Sequence, residues 1–157
     1  MPHVFLDGQA RLGTVFHALC AFALLFACSG QALAAVGLYR GQEQQAARLR
    51  RWSALALAAF IAAYSMGLLL YPHYRYWVRG VHLDRAAPWA SNLFDMKENL
   101  VALALPLVVA SFALGRRLEP SRDRALLPFL AGAALATWGL VAFAVASGVV
   151  VASARGM

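Results

Sequence analysis

Charge is what this chain has least of. Only 13% of its residues are Asp, Glu, Lys or Arg, about half the share found in a soluble domain. With 62% of the residues hydrophobic, too little polar side chain remains to coat a water-facing globule. That shortage excludes a soluble enzyme, a disordered tail and a nucleic-acid module. Cysteine is scarce as well. Cys20 and Cys28 are the two present, and on one helix they stand about 12 Å apart along the axis, too far to pair with each other. With no Cys-x-x-Cys, thiol–disulfide exchange has no motif. The chain also has no Gly-x-Ser-x-Gly, no phosphate-cradling glycine loop and no His-Glu-x-x-His.

What the chain does have is four runs without a charged residue: Leu12–Tyr39, Trp52–Tyr74, Asn99–Gly115 and Ala125–Ala154. About 20 apolar residues in a helix cross the roughly 30 Å of bilayer hydrocarbon. In lipid the backbone must satisfy its own polar groups, which makes each run a helix. The runs predict an all-α integral membrane protein, a single four-transmembrane-helix bundle over residues 1–157. Its spans fall at about 12–38, 52–71, 92–115 and 125–153, with a short interfacial helix in the segment 72–90 between the second and third. The third run has 17 residues and falls short. It has to borrow Asp95, Lys97 and Glu98 to complete a crossing.

The net charge of +7 reports orientation and not nucleic acid. Eight of the 14 basic residues (Arg40, Arg48, Arg50, Arg51, Arg116, Arg117, Arg122, Arg124) lie in the two short connections. The positive-inside rule therefore places both termini and the 72–90 segment outside the cytoplasm, in what reads as a bacterial cytoplasmic membrane. An Ala-x-Ala-like site at Ala32–Ala34 lies within the first run. The run is too long and its flank too weakly basic for a secretory signal, so a retained helix is expected.

Small residues recur at four-residue spacing, at Gly30 and Ala34 in the first span and at Gly132 and Ala136 in the fourth. Such faces let helices approach closely in lipid. Gln31, deep in the first span, is expected to hydrogen-bond to another helix. Pro72 is expected to end the second helix, and Pro106 to kink the third.

The remaining polar residues concentrate on one side. His3, His17, His73 and His82 all fall on the outer side of this topology, with Asp84, Asp95 and Glu98. After Pro72, the residues Tyr74, Trp77, Val78 and Val81 fall at i, i+3, i+4 and i+7, with Arg75, Arg79 and His82 on the opposing stripe. That is the pattern of an amphipathic interfacial helix, with Tyr71 and its aromatic neighbours as a belt. Asn92 reads as an N-cap with Asp95 at N3. Asp95, Glu98, Asn99 and Ala102 share one helical face. This face is expected to turn into the bundle, so that Glu98 meets Arg75 or Arg79 while Lys97 snorkels outward.

Three functions follow from this reading. The first is a small accessory or assembly subunit without chemistry of its own, in which Arg75, Arg79, Asp95, Lys97, Glu98 and Asn99 lock the interfacial segment to the third helix. Its partners are the lipid bilayer and either another membrane protein or further copies of itself. The second is a redox subunit. Here His17, His73 and His82, with Tyr71, contact haem b, a metal ion or a quinone at the outer face. The third is a proton or ion relay through Glu98 and Asp95. Val78–Asp84 and Lys97–Asn99 resemble short segments of the microsomal glutathione transferase family. Here the histidine segment follows the second span and not the first, with an insertion before the acidic helix, and no glutathione chemistry is carried over.

Overall fold

The computed structural model describes residues 7–154, leaving His3 and Arg155 outside. Among the described residues 92% are helical and none is in a strand. Four long helices dominate: α1 (Ala10–Tyr39), α2 (Gln45–His73), α3 (Pro88–Arg117) and α4 (Leu127–Ala154). All four are long and apolar enough to cross a membrane. Each packs against two neighbours in a closed ring, α1 on α2, α2 on α3, α3 on α4 and α4 on α1. This is the up-down-up-down arrangement that short connections impose.

The buried positions explain the packing. On α2 they are Leu49, Ser53, Ala56, Phe60 and Ala63, and on α3 Ala104, Val108, Ser111 and Gly115. On α4 they are Leu127, Leu130, Ala134, Thr137 and Val141. Steps of three and four alternate in every case. The average of 3.5 keeps one stripe facing the neighbours as the helices coil around each other. The opposite faces are apolar too. Leu12, Leu19, Phe26, Leu33, Ile61, Leu103 and Phe129 are all more than half exposed, forming a band that suits hydrocarbon and not water.

At its loop end, α1 stops where Gly41 takes φ +86°. Gln42 N–H donates to Gly37 O and Gly41 N–H to Leu38 O, both at 3.0 Å. This is a Schellman stop, which glycine makes without a Cβ clash. It turns the chain into α2, which begins several residues ahead of the charge-free run. The Arg-rich start of α2 is thus helix, not loop.

Proline behaves differently from expectation. Pro72 lies inside α2 and does not end it. The helix continues through Tyr74–Leu83 as π-helix and then through Asp84–Ala86. The break comes at Ala87, with φ −148° and ψ 68°, and Pro88 opens α3. The residue before a proline is pushed out of the α region, while proline itself suits the first helical turn. Asn92 is consequently interior to α3 and does not cap it. Pro106 lies on the exposed side of an uninterrupted α3.

Candidate functional site

The π-wound segment decides where the polar residues point. In α-helical winding, Val78 and Val81 would share one face. A π-helix closes its hydrogen bonds five residues apart, so Val78 and Leu83 align and both are buried, whereas Val81 is 46% exposed. Val78, Leu83, Ala90, Phe94 and Val151 form a core that ties this segment to α3 and α4. Tyr74 stacks on Phe94 with ring centroids 4.0 Å apart.

The same five-residue alignment brings Arg79 over Asp84. Arg79 Nε lies 3.7 Å from Asp84 Oδ1, and Arg79 Nη1 donates to Asp95 Oδ1 on α3 at 2.5 Å. Ser91 Oγ donates to Asp84 Oδ1 at 2.5 Å. One guanidinium therefore clamps two carboxylates from different elements, and a buried α3 hydroxyl completes the ring. The clamp is partly exposed, so each pair is screened; the network geometry raises its value above that of a lone surface pair.

The other residues singled out in the sequence fall into separate places. Arg75 donates to the hydroxyl of Tyr71 at 2.9 Å, one helical turn back, and takes no part in the clamp. Glu98 and Asn99 are exposed on α3, as is Ala102. Of the face expected to turn inward, Asp95 alone meets Arg79, the other three residues are exposed, and Glu98 forms an ion pair with neither Arg75 nor Arg79. Lys97 takes the inward position on the 3–4 stripe, its Nζ 4.7 Å from the centre of the Phe94 ring. The reason is register: packing follows Ala90, Phe94, Val101 and Ala104, and Lys97 lies on that line while Glu98 is rotated off it.

His17 of α1 is half-buried against α2, with Nδ1 3.0 Å from Ala63 O. Its Cε1 lies 3.3 Å from where a Cβ on Gly67 would stand, so Gly67 provides the space for the ring. His73 and His82 are half-buried at the other side of the connection. Among the described residues, no three His, Cys, Asp or Glu side chains gather as metal ligands.

Nearer the other end is a polar layer that pattern reading did not assemble. Gln31, Ser53, Ser111 and Thr137 come one from each helix, and none is more than 1% exposed. A Cβ on Gly30 would strike the Trp52 ring at 2.4 Å, and one on Gly115 would touch Ser53 Oγ at 3.4 Å. Trp138 Nε1 donates to Ser29 Oγ at 3.0 Å. These contacts bring Gln31, Ser53 and Thr137 to about one level, with Ser111 about one helical turn from Gly115 along α3. Thr137 and Ser53 bond to carbonyls of their own helices, but the Gln31 amide and Ser111 Oγ have no partner. The expected interhelical bond from Gln31 is not made.

Comparison with protein-family models, characterised proteins and solved structures finds no match for the chain.

Proposed function

We propose that the protein is a small integral membrane subunit that assembles with a larger membrane complex, and that the Arg79 clamp locks its non-helix-crossing connection onto the bundle. The observation that carries this reading is the clamp itself. Arg79, Asp84, Asp95 and Ser91 satisfy one another within the chain, which is the signature of a structural joint more than of a site awaiting substrate. The exposed apolar belt on all four helices supports insertion in a bilayer. In this reading the basic loops face the cytoplasm, and the clamp, both termini and the 72–90 segment lie at the outer interface of a bacterial cytoplasmic membrane.

An unused face of α4 supports assembly with a partner. Gly132 and Gly139 meet nothing within 4 Å where a Cβ would stand, and Ala136 between them is exposed. A small-residue face left open by its own bundle can receive a helix of another membrane protein or of a second copy.

Arg79→Gln should lower thermal stability in detergent by about 1 kcal/mol, because Asp84 and Asp95 are then left facing each other without a cation. A double-mutant cycle with Asp95→Asn should show coupling, whereas Glu98→Gln should leave stability nearly unchanged. If Arg79→Gln leaves the melting curve in place but abolishes proton uptake into vesicles, the lock gives way to the relay through Asp95 and Glu98. A redox role has no ligand cluster behind it among the described residues.

A further inference from the structure

A groove of about 290 Å³ runs along the outside of the α1–α2 pair, at the end of the bundle that carries the basic loops. Its wall is mostly apolar, with Phe26, Leu33 and Trp52; Ser29 lies in that wall with its hydroxyl already bonded to Leu25 O and Trp138 Nε1, and the mouth turns polar at Gln45 and Arg48. The floor is formed where Gly30 admits the Trp52 ring; a Cβ there would lie 2.4 Å from the ring. Phe26 closes the deep end edge-on against Trp52, ring centroids 5.4 Å apart. Gly37 lies beside Gln45 and Gly30 beside Trp52, so the antiparallel register sets Arg48 at the level of Ala34. From Phe26 to that level is eight residues, or about 12 Å of helix.

We propose that this groove binds one anionic glycerophospholipid of the leaflet at the basic end. An acyl chain lies over Trp52 between Phe26 and Leu33, and the phosphate sits on Arg48. Arg48 is exposed and, among the described residues, has neither an ion pair nor a hydrogen bond. The neighbouring Arg50, by contrast, is engaged with the carbonyl of Leu118 at 3.4 Å. A free guanidinium at the mouth of an apolar slot is the charge pattern that recognises a phosphate with a chain attached.

The site rests on the membrane reading, and the two can fail separately. The full chain in detergent is offered dimyristoyl phosphatidylglycerol and dimyristoyl phosphatidylcholine at equal concentration, and bound lipid is counted by native mass spectrometry. The wild type should retain about fivefold more of the anionic lipid, the factor that about 1 kcal/mol from one arginine supplies. Arg48→Gln should bring the two lipids level, Leu33→Trp should reduce the binding of both, and Arg117→Gln should keep the preference. A preference that survives Arg48→Gln, or that Arg117→Gln removes equally well, overturns the site. So does unchanged binding in Leu33→Trp. A chain that floats with liposomes yet shows no lipid preference refutes the groove alone, while one that fails to float refutes membrane insertion as well.

Discussion

Single residues in this bundle divide by whether a neighbour uses their shape. Gly30 and Gly132 look alike in the sequence, each beginning a small-residue pair. In the structure Gly30 is pressed by the Trp52 ring and Gly132 is open. Gly30→Ala should therefore destabilise the protein by about 1–3 kcal/mol through overpacking, and Gly132→Ala should be neutral in the same thermal melt. Gln31 is the converse case, a polar residue whose chemistry is unused. Its amide is 1% exposed and unpartnered, and a buried amide without a hydrogen bond costs about 1–3 kcal/mol. Gln31→Leu, close in volume and without that penalty, should raise the melting temperature; a fall would mean that the amide is bonded after all. Both cases have the same physical root. Composition shows that a residue is small or polar, and only a neighbouring helix settles whether that matters.

At the scale of elements, the segment after Pro72 is where pattern reading and structure part. Winding at 3.6 residues per turn aligns Val81 with Val78 and leaves Arg75 and Arg79 equivalent. The π winding substitutes Leu83 for Val81 and separates the arginines, sending Arg79 to the clamp and Arg75 back to Tyr71. No residue type in Tyr74–Leu83 encodes this; it follows from carrying a continuous helix past Pro72 and still burying Val78 and Leu83 against α3. Leu83→Ala should cost about 2–4 kcal/mol, as for other fully buried leucines, while Val81→Ala should change stability by less than about 0.5 kcal/mol. Equal effects would restore the α-helical assignment. The Gly41 stop, in contrast, was open to sequence reading: a glycine two residues past the end of a long apolar run is a helix-end signal.

At the scale of the whole molecule, the proposed orientation rests on eight arginines at one end. In a background with Cys20 and Cys28 replaced, Arg85→Cys should react with a membrane-impermeant maleimide added to intact cells, and Arg122→Cys should react only after lysis. The reverse pattern would invert the orientation.

The four helices, their apolar surfaces and the basic end were readable from the residues alone. Long charge-free runs leave a chain no other way to satisfy its backbone out of water, and the excess of arginine at two short connections needs no coordinates to be seen. The partners within the bundle were not readable. Lys97 and Glu98 are adjacent, both charged and both near one helix end, yet one is turned inward onto Phe94 and the other outward. That choice is a rotation of 100° per residue set by which stripe of α3 packs best, and packing is a property of all four helices at once. The same holds for Arg79 over Arg75 and for the polar layer around Gln31. Periodicity specifies what each helix can offer, but the register between helices selects which of those offers meet.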